Sequence, residues 1–88
     1  MSEERLPGYH INDIKKGILG ESSKIMEEIL ELQDAEAQGI KIMQLVELSD
    51  LVGSIEIYLK NHFADISIED LIKMSQVTQR AFQNGRRS

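Results

Sequence analysis

The sequence predicts an all-α fold, a small helical bundle completed by oligomerisation. Three observations carry this expectation. From Ile11 onward the apolar residues recur at helical spacing, and no stretch alternates apolar with polar residues long enough to make a strand. The one proline, Pro7, lies ahead of that pattern, so no later helix loses a backbone N–H to proline. With 88 residues the chain is one domain. A domain of this size hides only about 60–65% of its unfolded surface and is marginal alone.

Residues 1–10 carry a Pro7-Gly8 turn signal with little periodicity and read as an N-terminal arm. Residues 11–85 form the helical domain, and 86–88 are a short basic tail. The first helix is expected over about 12–38, with Asn12 as N-cap and Gly39 in the left-handed position that ends it. Gly17 and Gly20 predict a break or kink early in that stretch. The second helix is expected over about 40–60. The third starts near Ser67, where Ser67-x-x-Asp70 has capping-box spacing, and stops at Asn84-Gly85. There is no internal repeat and no low-complexity segment.

Composition narrows the function classes. No stretch free of Asp, Glu, Lys and Arg is longer than residues 6–12, far short of the about 20 apolar residues of a membrane span. No basic segment followed by an apolar run opens the sequence, so a secretory signal is not expected. Cysteines are absent, which excludes disulfides, thiol chemistry and Cys-ligated zinc. The expected compartment is the cytoplasm. A formal net charge of −5 disfavours nucleic acid, since phosphate binding needs a cationic surface.

The second helix shows two apolar arcs when residues are placed at 100° intervals. Leu45, Leu48, Val52, Ile55 and Leu59 form one; Ile42, Met43, Val46 and Ile57 form the other. A monomeric surface helix has one apolar stripe. Two stripes predict two packing surfaces, one inside the subunit and one against another copy.

The carboxylates are the unusual feature. Glu27-Glu28-x-x-Glu31 projects three acids from one side of the first helix. A solvated acidic face is the plain reading, and Lys24, four residues before Glu28, fits it. Glu47-x-x-Asp50 is different, because these two lie between the apolar arcs of the second helix. Unpaired charges facing a packed partner cost several kcal/mol each, on the order of a lost buried ion pair. Hard divalent cations resolve such a cluster, since magnesium takes carboxylate oxygens and keeps several waters. A di-iron site would want Glu-x-x-His, which the sequence lacks. His10 in the arm and His62 just past the second helix read as surface or loop residues.

These residues resemble a known family. Glu27-Glu28-x-x-Glu31 followed, after 15 intervening residues, by Glu47-x-x-Asp50 is similar to the EExxE…ExxD signature of the MazG-like, all-α nucleoside triphosphate pyrophosphohydrolases. The surrounding Lys24-Ile-Met-Glu-Glu-Ile-Leu-Glu-Leu and Val46-Glu-Leu-Ser-Asp-Leu-Val-Gly agree with it. The likeness spans residues 18–87. The closing Arg80-Ala-Phe-Gln-Asn-Gly-Arg-Arg resembles small phage-type members, which would place the protein in a host cytoplasm.

The resemblance implies hydrolysis of a (d)NTP to the monophosphate and pyrophosphate, by metal-activated water attack on the α-phosphorus. It implies Mg²⁺, with Mn²⁺ able to substitute and more than one ion per site. Glu27, Glu28, Glu31, Glu47 and Asp50 become the catalytic set, with Glu28, Glu31, Glu47 and Asp50 as metal ligands. Glu27 is either a further ligand or the base that orients the attacking water. Family members commonly form dimers or dimers of dimers with sites at subunit junctions, so a homo-oligomer is expected, a tetramer ahead of a dimer.

The third helix places Lys73 and Arg80 on one face, with Asn84 beyond them; Leu71, Met74, Val77, Ala81 and Phe82 lie opposite. A solvated basic face near a helix C-terminus is the plain reading. The functional one is that Lys73, Arg80, Asn84 and Arg87 meet phosphate, within one subunit or across a subunit boundary. Ile18, Ser22 and Ile25 are the candidates to wall a base pocket. Tyr58 and Phe82 either stack on a base or pack in the core. The rival function is a non-enzymatic acidic helical module for oligomerisation or interaction. Glu47 and Asp50 discriminate, since a mere interaction helix has little reason to carry acids between its apolar arcs.

Overall fold

The computed structural model describes residues 10–84. Among them every regular element is an α-helix: α1 Ser22–Gln38, α2 Lys41–His62 and α3 Ile68–Gln83. None is long and apolar enough to cross a membrane. Residues 39 and 40 alone join α1 to α2, which turns the two into an antiparallel hairpin packed along its length. Gly39 makes that turn at φ 73°, and its N–H closes α1 on the carbonyls of Ala35 and Glu36 at 3.1 and 3.0 Å. The third helix packs against α2 only. It opens on the capping box expected of it: the Asp70 N–H donates to Ser67 Oγ at 3.2 Å, and the Ser67 N–H donates to the Asp70 carboxylate at 2.9 Å. Gly85 and the 86–88 tail lie outside the described residues, as do the first nine residues of the arm.

The first helix starts ten residues later than its periodicity suggests. Asn12 caps nothing, and residues 10–21 are not helical. Two buried carboxylates of α1 capture the backbone N–H groups that a helix would have used. Asp34 accepts from Ile11 N–H at 3.0 Å and Asn12 N–H at 2.7 Å. Glu27 accepts from Gly17 N–H at 2.8 Å. The segment therefore runs back along α1. Gly20 turns it into the helix at φ 92°, and a Cβ there would collide with the Asn61 amide.

The far end of α2 also departs from expectation. His62 is the last residue of the helix rather than a residue beyond it. Its ring stacks on Tyr58 with centroids 4.2 Å apart, and its Nε2–H donates to Gly20 O at 3.1 Å.

Packing is inverted relative to an ordinary hairpin. Among the described residues Ala35 and Leu59 are the buried hydrophobic ones; Glu27, Glu28, Glu31, Asp34, Glu47 and Ser54 are the buried polar ones. The stripe of α2 that meets α1 runs through Glu47 and Ser54, between the two apolar arcs. Much of both arcs stays exposed: Leu45, Leu48 and Val52 on one side, Ile42 and Val46 on the other. So the expected division, one arc inside and one outside, does not hold within a single chain. Only Leu59 of the first arc is buried, at the elbow where Phe63, Ile66, Leu71 and Met74 bring α3 against α2.

Candidate metal centre

Spacing explains why α1 turns an acidic stripe inward. Glu27, Glu31 and Asp34 follow at i, i+4 and i+7, with Glu28 and Ala35 beside them, so they share one helical face. Glu47 on α2 stands opposite that face. One carboxylate oxygen from each of Glu28, Glu31, Glu47 and Asp50 lies within 4.8 Å of the others, a group that could hold a metal ion. The first three are buried and Asp50 is exposed. The buried Glu28 Oε1 and Glu47 Oε1 have no hydrogen-bond partner among the described residues. Such atoms carry a desolvation penalty that a cation would remove.

The electrostatics follow from this crowding. Burial, together with the neighbouring Glu28 and Glu47 carboxylates, pushes the Glu31 carboxyl up to about 8. Glu27 goes the other way. Burial alone would raise it, but the Gly17 N–H and the Lys24 ammonium outweigh burial and hold it at about 2. Asp34 is lowered too, because its bonds from Ile11 N–H, Gln38 and Asn12 N–H overcome burial. Lys24 bridges Glu27 and Glu28, at 3.2 Å from each. The structural pairing suggested by its position four residues before Glu28 is therefore real, and it leaves Glu31, Glu47 and Asp50 without a lysine.

Beside the group opens a depression of about 530 Å³. Glu28 and Asp50 belong to both. Its other walls are Leu19, Lys24, Ser49, Gly53, Ser54, Glu56 and Ile57.

The structure thus unites four of the five signature acids around one point. Glu27 is turned to the 10–21 segment, its oxygens taken by Gly17, Lys24 and Lys16. Lys73, Arg80 and Asn84 are exposed on α3, and none lines the depression; Arg87 lies outside the described residues. Ile18 is 68% exposed, Ser22 is exposed at the start of α1 and Ile25 is half-buried; Leu19 and Ile57 wall the depression instead.

Two residues escaped the sequence reading. Asp34 continues the Glu27–Glu31 row by one more turn, a signal present in the spacing. His10 is no bystander of the arm: its Nε2 lies 3.6 Å from Glu31 Oε2 and 3.8 Å from Glu47 Oε2. No spacing rule links a residue of the arm to α2, so only the folded path of the segment reveals it. Compared with known proteins, the chain matches no family model, no curated protein and no solved structure.

Proposed function

We propose that the chain is a divalent-metal-dependent nucleoside triphosphate pyrophosphohydrolase, converting a (d)NTP and water to the (d)NMP and pyrophosphate. The observation that carries this is the convergence of the buried Glu28, Glu31 and Glu47 with the exposed Asp50, at the edge of a depression large enough for a nucleotide. The MazG-like spacing of those same residues supports it.

Glu28, Glu31, Glu47 and Asp50 would hold the ion or ions, Mg²⁺ or Mn²⁺. A cation bound there supplies charge neutralisation for phosphate oxygens and a water of lowered pKa. Water attacks the α-phosphorus, the bond to the bridging oxygen breaks, and pyrophosphate leaves in line. The chain's own residues prepare this. Asp50 opens the buried acids to the depression, and Lys24, paired with Glu27 and Glu28, is the cationic side chain on its wall. Leu19 and Ile57 offer the apolar surface on which a base would rest. Glu27 positions rather than reacts, because a carboxyl held at about 2 is a poor proton acceptor.

Pyrophosphate release tests this directly. Across the common NTPs and dNTPs, at least one should be cleaved with Mg²⁺ or Mn²⁺, and EDTA should stop the reaction. Asp50→Ala should lower the rate at least about 100-fold with helicity unchanged, as expected when a ligand is lost. Full activity of that variant would remove Asp50 from the site.

The exposed apolar arcs of α2, with Ile72, Met74, Val77 and Phe82 exposed on α3, favour assembly into a homo-oligomer, tetramer or dimer. A neighbouring copy would then bring Lys73, Arg80 and Asn84 to the phosphates. Sedimentation at micromolar concentration should show a species of at least two chains; a stable folded monomer would contradict it. The same surfaces motivate the second reading, a non-enzymatic helical interaction module, which predicts no turnover with any nucleotide.

A further inference from the structure

We infer that His10 is a metal ligand, completing a second cation position with Glu31 and Glu47 that takes a transition-metal dication such as Mn²⁺ in preference to Mg²⁺. It rests on the metal-binding part of the reading above, shares two carboxylates with that centre, and needs nothing of the hydrolytic chemistry.

Ligand atoms of His10, Glu31 and Glu47 lie within 4.8 Å of one another, and the group excludes Glu28 and Asp50. Nε2 stands 3.6 Å from Glu31 Oε2 and 3.8 Å from Glu47 Oε2. Both separations exceed the roughly 3.2 Å limit of a good N–H···O bond. They come close to the spacing of adjacent ligands about one ion, roughly 3.0–3.5 Å when each bond is near 2.1 Å. Glu47 is 3% exposed, and its Oε1 is buried without a partner among the described residues. A buried carboxylate atom with nothing to accept from is an independent sign of a missing cation.

The other ring nitrogen supplies the remaining evidence. His10 Nδ1 is buried without a hydrogen-bond partner among the described residues, 3.9 Å from Asp34 Oδ1. A metal-bound imidazole characteristically turns its second nitrogen toward a carboxylate, which fixes the tautomer and the ring. Asp34 is itself immobilised by Ile11 N–H, Asn12 N–H and Gln38. The residues next to His10 in the chain are therefore clamped to the carboxylate that would orient its ring. An imidazole donor favours Mn²⁺, Fe²⁺ or Co²⁺, whereas Mg²⁺ prefers an all-oxygen shell.

Electron spin-echo spectroscopy of the full chain loaded with Mn²⁺ provides the test. Wild type should show ¹⁴N modulation from a coordinated imidazole. His10→Gln should lose it, weaken Mn²⁺ binding at this position about tenfold, and leave Mg²⁺ affinity within twofold. That variant keeps the Asp34 clamp, and circular dichroism checks its helicity. Mn²⁺ bound without ¹⁴N modulation in wild type would overturn the inference and leave the carboxylate centre standing. Modulation that survives in His10→Gln would also overturn it, since His62 would be the source. Wild type that binds no Mn²⁺ would overturn both; pyrophosphate release, measured separately, reports on the hydrolytic reading alone.

Discussion

Glu31→Gln should make the metal-free protein more stable at pH 8–9 and deprive it of its response to metal. The folded chain holds the Glu31 proton up to about 8, whereas the unfolded chain releases it near 4.5. A carboxyl raised in this way stabilises the fold at low pH, and that stability drains away as pH climbs from about 4.5 through 8. Above that window three buried carboxylates repel one another with no cation between them. Glutamine keeps the shape and removes one charge, so the gain should be about 1–3 kcal/mol. In a domain this small that corresponds to roughly 5–15 °C in Tm. Wild type should recover the same stability when Mg²⁺ or Mn²⁺ is added, and Glu31→Gln should not. Thermal melts at pH 6 and pH 9, with EDTA and with each metal, give the answer. A variant as sensitive to alkali as wild type would mean the acids do not repel across the α1–α2 interface.

Glu27→Ala should instead weaken the fold, by about 2–3 kcal/mol, the penalty of leaving a part-buried N–H and a lysine without their acceptor. Gly17 N–H and Lys24 lose the oxygen they share, while the exposed Lys16 loses little. The pH sign is opposite to that of Glu31. A carboxyl held at about 2 stabilises the fold above 4.5, and this contribution disappears as pH falls toward about 2. Wild-type stability should therefore fall as pH drops from about 4.5 to about 2, and this limb should flatten in Glu27→Ala. Hydrogen exchange should show the Gly17 amide losing protection. The result also separates an anchoring role for Glu27 from a ligand role. Undiminished stability with lost metal binding would make it a ligand.

Much of the site was readable from spacing. Glu28 and Glu31 at i, i+3, and Glu47 and Asp50 at i, i+3, each share a helical face by geometry alone. Once a two-residue turn made α1 and α2 antiparallel, the two pairs had to meet. Local signals also held at Gly39 and at the Ser67–Asp70 cap, because both act within one turn of chain. What failed was long-range. The expected helix from Asn12 ignored acceptors 10 to 23 residues away from the donors, Glu27 for Gly17 and Asp34 for Ile11 and Asn12, and a local periodicity cannot register a competing partner of that kind. His10 and the wall Leu19 were missed for the same reason, since they reach the acids only because the 10–21 segment runs back along α1.

The sequence by itself determined that the chain is helical, that its helices end where Gly39 and Asn84 stop them, and that acids occupy a face which apolar residues would normally fill. Those are properties of a 3.6-residue period and of single-residue caps. Only the tertiary structure decided which acids serve as anchors. Four chemically equivalent carboxylates on one helix take different tasks according to what lies opposite: Glu28 and Glu31 face the acids of α2, while Glu27 and Asp34 face backbone N–H groups. The partner across the interface, not the residue type, separates a carboxyl held at about 2 from one raised to about 8.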